Sequence, residues 1–184
     1  MTSTPIRPGL VLWLMGPTSS GKTTVSNAVV KRLRDAGTPI IYFDGDEIRD
    51  FFGDNLGFKP EDRLRVVSTL IHLAGKVSTA GAHVIVSALT ANPDARKLLD
   101  ERLGDAAIGY IQCSIDTCTE RDPKGLYAKA KSGEIDTLVG YNTENPAYEN
   151  PYFVLDTEHD PLDALVDQSL DFLHSSGRGL IHGG

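Results

Sequence analysis

The stretch Gly16-Pro17-Thr18-Ser19-Ser20-Gly21-Lys22-Thr23 restricts this chain more than any other. It follows the apolar run Val11–Met15. It leads into Thr24-Val25-Ser26-Asn27-Ala28-Val29-Val30, where Val25, Val29, Val30 and then Leu33 recur at helical spacing. A buried strand, a glycine turn and a helix start, in that order, make a phosphate-binding loop. Glycine lets the backbone curl so that successive N–H groups converge on an anion, and the positive end of the helix faces the same point. On this reading Gly16 to Thr24 hold the phosphates of a nucleotide, Lys22 neutralises the outer ones and the Thr23 hydroxyl ligates Mg²⁺. Pro17 lacks an N–H but precedes the expected centre of the nest at Ser19–Lys22.

The rest of the chain alternates strand and helix. Strands are predicted at 40–43, 83–89, 108–115 and 153–156. Helices are predicted at 22–36, 61–80, 92–103, 117–121, 126–132 and 160–173. Alternation of this kind implies an α/β fold, a three-layer sandwich of the P-loop NTPase type. About five parallel strands would carry helices on both faces. Residues 133–151 break the rhythm with Asn, Pro, Gly and Tyr, which reads as a long binding loop. The organisation expected is one domain over 1–174, with a lid at about 121–151 and a flexible tail at 175–184.

A net charge of −7 argues against a nucleic-acid partner, since any polyanion site must be built locally. No apolar run approaches the ~18 residues of a membrane span, and no secretory leader is recognisable, so the expectation is a cytoplasmic protein with no membrane partner. The cysteines, Cys113 and Cys118, have neither zinc nor C-x-x-C spacing and fit a reducing compartment. His72 is read as a packed or partly exposed residue on the apolar side of the 61–80 helix. His83, Cys113 and Trp13 are read as structural.

Chemistry is expected where the second strand ends, in Asp44-Gly45-Asp46-Glu47-Ile48-Arg49. Parallel sheets bind ligands at the carboxyl ends of their strands, which puts both aspartates beside the loop. One could take a proton from an attacking hydroxyl while the other serves Mg²⁺. The competing reading makes Asp46 a helix cap. Asp156 ends the last strand, either near the nucleotide base or as a turn residue.

Further motifs carry a family likeness. Asp44-Gly45-Asp46-x-x-Arg49, Gly57-Phe58 before Glu61-Asp62-Arg63, Arg121-Asp122-Pro123-Lys124-Gly125-Leu126-Tyr127 with Gly133-Glu134-Ile135, and Val154-Leu155-Asp156-Thr157 together resemble the adenylylsulfate (APS) kinase family over roughly residues 10–173. That resemblance implies phosphoryl transfer from ATP-Mg to the 3′-hydroxyl of APS. It implies Asp46 or Asp44 as base, Asp44 and Thr23 at the metal, and Arg121 and Lys124 on a lid over the phosphates. Arg49, Arg63 and Phe58 would hold the acceptor, in a pocket completed by Asp46, Ser87, Leu89, Thr90, Lys124, Gly125, Leu126 and Leu138. The family also implies that a homodimer is possible.

The departures fall on the acceptor side. Val66 stands where the family has an acceptor-contacting Asn, Leu138 where it has a lid aromatic, and Ala88 where it has Phe. Tyr141 is the substitute aromatic within reach along the chain. A site lacking a hydrogen-bonding group that its substrate needs discriminates differently. The alternative is therefore an APS-kinase-like enzyme acting on another nucleotide or small hydroxyl compound, and after it a non-catalytic nucleotide-binding protein. A regulatory GTPase is excluded by the absence of an Asn-Lys-x-Asp string.

Overall fold

The computed structural model describes residues 7–53, 56–57, 59–146 and 148–175. Its strands are β1 (Val11–Met15), β2 (Ile40–Asp44), β3 (His83–Ser87), β4 (Ala107–Gln112) and β5 (Phe153–Asp156). They form one sheet in the order β2-β3-β1-β4-β5, and every pairing is parallel. All five carboxyl ends therefore meet one edge of the sheet. The central strand β1 delivers residues 16–23 to the middle of that edge, where the strand order changes direction.

The helices are α1 (Lys22–Asp35), α2 (Gly45–Phe52), α3 (Pro60–Thr79), α4 (Pro93–Arg102), α5 (Ile115–Arg121), α6 (Leu126–Lys131) and α7 (Leu162–Ser175). Strand β1 is buried on both faces, and its alternation sorts the layers. Leu12 and Leu14 pack with Val25, Val29 and Leu33 of α1 and with Leu165 and Leu173 of α7. Val11, Trp13 and Met15 pack on the other face with Val67, Leu70 and Ala74 of α3 and with Leu99 of α4. A third cluster lies apart: Cys113, Cys118, Tyr127, Ala130, Ile135 and Leu138 give the expected lid region a small core of its own.

Local chemistry accounts for most boundaries. Asn92 caps α4 by accepting the N–H groups of Asp94 and Ala95, with Pro93 in the first turn. Pro60 opens α3, followed by Glu61 and Asp62 at its positive end.

Several expectations needed correction. The fourth strand ends at Gln112 rather than 115, because Ser114 leaves the sheet to cap α5 and accepts the Thr117 N–H. The third strand ends at Ser87 rather than 89. The cap of α2 is Asp44 rather than Asp46: the Asp44 carboxylate accepts the Asp46 N–H. His72 is exposed, off the apolar side of α3, whose buried line runs through Val66, Val67, Leu70, Ile71 and Ala74. Helix α7 continues through Ser175, where a flexible tail was expected to begin. Trp13 is wholly buried as expected, and the His83 ring accepts the Leu10 N–H at Nδ1.

The chain enters β1 through a tight contact. Gly9 exchanges hydrogen bonds with Ser78 at the end of α3, its N–H to the Ser78 carbonyl and its carbonyl to the Ser78 hydroxyl. A side chain at Gly9 would put Cβ 2.0 Å from the Ala82 carbonyl oxygen, a rigid backbone neighbour. Gly9→Ala is expected to cost about 1–3 kcal/mol through overpacking. A urea midpoint unchanged from the parent would show that the β1 entrance can yield.

Candidate active site

The carboxyl edge of the sheet opens into a cavity of about 790 Å³. Its floor is the loop predicted from the sequence. Ser19 (φ 62) and Gly21 (φ 91) are left-handed, the backbone alternation that turns N–H groups into a concave anion site. Thr18, Ser19, Gly21, Lys22, Thr23 and Thr24 all line the cavity. Gly16 and Pro17 do not; their carbonyls instead accept the Lys22 ammonium at 3.0 and 2.5 Å. Ser20, within the loop, is fully buried and does not line the cavity. Burial lowers the Lys22 amine to about 8, against the opposing pull of Asp46 and Asp44.

The two aspartates differ sharply. Asp44, at the end of β2, is only 8% exposed. Its Oδ2 accepts hydroxyls from Thr23 at 2.7 Å, Tyr42 at 2.7 Å and Ser87 at 2.8 Å, and its Oδ1 accepts the Asp46 N–H at 2.8 Å. Burial alone would raise this carboxyl, but the hydrogen bonds from Tyr42, Thr23, Asp46 and Ser87 outweigh it and hold the group below its usual range. The Asp46 side chain is 54% exposed, faces the cavity and pairs with Lys124, between α5 and α6.

Two guanidiniums stand at the far side. Arg49 donates to the Gly57 carbonyl and Arg63 to the Thr137 carbonyl at 2.9 Å. Burial, then the charge of Arg49, lowers Arg63 to about 10; burial also lowers Arg49, against Asp46, Asp62 and Asp50. Opposed cations that lose solvent in one cavity invite an anion. Val66, Val67, Ala88, Leu89, Leu126 and Leu138 supply apolar wall between them, and Ser87 adds a hydroxyl.

Arg121 reaches in from the end of α5. Its Nη2 donates to the Thr157 carbonyl at 2.7 Å, and the Thr157 hydroxyl donates to the Ser20 carbonyl at 2.6 Å. Helix α6 and the loop are also joined by the Tyr127 hydroxyl, which donates to the Thr18 carbonyl at 3.1 Å.

Some predicted site residues lie elsewhere. Thr90 is buried, with its hydroxyl taken by the Trp13 indole N–H at 2.9 Å and the Ala88 carbonyl, so it does not reach the cavity. The Asp156 carboxylate turns to the N–H groups of Glu158 and His159 and to the His159 ring, as a turn residue would. Gly125 lies outside the cavity wall and caps α6 in a left-handed conformation. Tyr141 stacks edge-on against Tyr127, leaving Leu138 on the wall. Phe58 lies outside the described residues. Thr157 and Tyr127 were not singled out although both sit in quoted motifs. Tyr42 had no sequence signal, because in a strand it reads only as an alternating position.

The oxygen donors of Thr23 and Asp44 suit a hard cation such as Mg²⁺. Among the described residues no group of three or more His, Cys, Asp or Glu could hold a metal alone, so phosphates and water would complete the shell. No helix of the described residues is long and apolar enough to cross a membrane.

Known proteins resemble this chain in sequence and fold. Residues 8–156 match the profile of a family described as adenylylsulphate kinase. The adenylyl-sulfate kinase of Staphylococcus epidermidis is 38% identical over 165 residues, covering 89% of this chain and 83% of that protein. A probable adenylyl-sulfate kinase of Bacillus subtilis is 34% identical over 165 residues, covering 89% and 84%. The structure of the Mycobacterium tuberculosis APS kinase CysC in complex with AMPPNP and APS superposes with a TM-score of 0.82 at 30% identity. It covers 91% of this chain and 98% of that one.

Two outcomes follow from the site. Thr90→Val leaves the Trp13 indole N–H buried and unpartnered. It should cost about 1–3 kcal/mol in urea unfolding and leave nucleotide affinity intact; a large affinity loss would put Thr90 back in the site. Lys22 titrates near 8 when folded and at 10.5 when free, so between those values the folded chain binds fewer protons than the unfolded one. This group therefore makes stability rise with pH across that window. Measured against Lys22→Met, the ligand-free parent should gain stability between pH 8 and 10.5; a constant difference would mean the amine keeps its charge.

Proposed function

Because this chain belongs to the adenylylsulphate kinase family, we propose that it transfers the γ-phosphoryl group of ATP to the 3′-hydroxyl of adenylylsulfate, with Asp46 as the base. Membership makes it an ATP-dependent kinase acting on a hydroxyl group. The observation that carries the assignment of roles is the difference between the two aspartates. Asp44 has four donors on its two oxygens, whereas Asp46 faces the cavity and, among the described residues, makes one close ion pair, with Lys124. Asp44 and Thr23 are thus suited to Mg²⁺, which on binding would offset phosphate charge. Asp46 is suited to take the acceptor's proton as its oxygen bonds to the γ-phosphorus and the bond to the bridging oxygen breaks.

Lys22 lies in the loop and Arg121 within reach of it, so positive charge flanks the phosphates from both sides. Lys124 pairs with Asp46. It would pass to the phosphates as the acceptor hydroxyl takes its place, and the lid would exclude water. Arg49 and Arg63 would grip the acceptor's anionic end.

A second reading has a specific observation behind it. Val66, Ala88 and Leu138 all reach the acceptor side of the cavity and none offers a side-chain hydrogen bond, which favours an acceptor other than APS. ADP release from ATP-Mg, with and without APS, separates the two. APS-dependent turnover is expected, with kcat reduced about 10²- to 10⁴-fold in Asp46→Asn while nucleotide still binds. Nucleotide binding without APS turnover would favour the second reading, and an undiminished Asp46→Asn would remove Asp46 as base.

A further inference from the structure

Tyr42 takes no part in the reading above, yet it is built into the site's centre. It is the third residue of β2, and its ring packs against the α1–α7 side of the sheet. Its phenol oxygen lies 2.7 Å from Asp44 Oδ2 and 2.7 Å from Ser87 Oγ. Oδ2 thus gathers hydroxyls from α1 (Thr23), β2 (Tyr42) and β3 (Ser87), although a carboxylate oxygen offers only about two lone-pair sites. Thr23 and Ser87 border the cavity; Tyr42 does not, and it braces the carboxylate from behind.

We propose that Tyr42 is a positioning residue for the divalent-cation site, acting through Asp44 on the Thr23 hydroxyl. The inference rests on the functional reading given above. A hydroxyl presents its lone pairs to a cation when its proton has an acceptor elsewhere, and Asp44 Oδ2 is that acceptor for Thr23 at 2.7 Å. The acceptor serves only if its plane is fixed. Ser87 fixes it from the neighbouring strand, and Tyr42 fixes it from its own. Without the phenol, the carboxylate loses a charge-assisted bond and gains freedom to turn toward the cavity, and the Thr23 proton loses its fixed direction. Outer partners of this kind are commonly worth 10- to 100-fold in metal affinity.

The test is Mn²⁺ binding to the full-length protein saturated with a non-hydrolysable ATP analogue, followed by electron paramagnetic resonance, in the parent and in Tyr42→Phe. Affinity for the same analogue in excess chelator is measured alongside. Tyr42→Phe should weaken Mn²⁺ about tenfold or more and leave metal-free nucleotide affinity as in the parent. A merely structural role would lower both together. Ser87→Ala, which removes the other brace, should weaken Mn²⁺ in the same direction, and it supplies the reading if Tyr42→Phe gives no soluble protein. Unchanged Mn²⁺ affinity, or equal losses with and without metal, overturns the role of Tyr42 alone. Failure of the parent complex to take up Mn²⁺ overturns this role and the functional reading beneath it.

Discussion

The Asp44 carboxylate is where the sheet, the phosphate loop and α2 are tied together. It ends β2, accepts hydroxyls from α1 and β3, and caps the helix that carries Asp46 and Arg49. A buried carboxylate with fewer donors would carry a large desolvation cost and take up a proton. With four donors it stays ionised, and the elements that supply them are held in register. The position of Asp46 follows from this: the residue whose N–H binds Asp44 presents its own carboxylate to the cavity.

The cationic side uses the same economy. Lys22, Arg49, Arg63 and Arg121 each donate to backbone carbonyls, so each charge is partly satisfied before any ligand arrives. Carbonyls are weaker partners than phosphate or sulfate oxygens, so these side chains are aimed at the cavity without being neutralised. Lowered values for Lys22, Arg49 and Arg63 record the remaining cost of holding cations out of water. An arriving anion relieves that cost, and the relief contributes to binding.

The segment after β4 has its own apolar core, from Cys113 and Cys118 to Ile135 and Leu138. It touches the loop through polar contacts, Tyr127 to Thr18 and Arg121 through Thr157 to Ser20, and it touches α3 through Arg63 and Thr137.

The sheet, the phosphate loop and the Asp44–Asp46 pair were legible in the sequence because they depend on local pattern: apolar runs of strand length, a glycine turn followed by Lys-Thr, and acids just past a strand end. The family motifs extended that legibility to Arg49, Arg63, Arg121 and Lys124, all of which border the cavity. Where a side chain turns is decided otherwise. Thr90 and Ser87 stand three residues apart, yet one is used by Trp13 of the next strand and the other by Asp44. Asp156 turns to its own loop, and Tyr141 to Tyr127. The sequence put both aspartates at the strand end and the family likeness preferred Asp46 as base, but the physical difference between them, one buried under four donors and one facing the cavity, comes from the packed sheet. Tyr42, Ser87 and Thr23 lie far apart along the chain, and the pairing of β2 with β3 together with the packing of α1 brings their hydroxyls to a single oxygen. A hydrogen bond requires distance and direction, and for residues remote in sequence the fold alone supplies both.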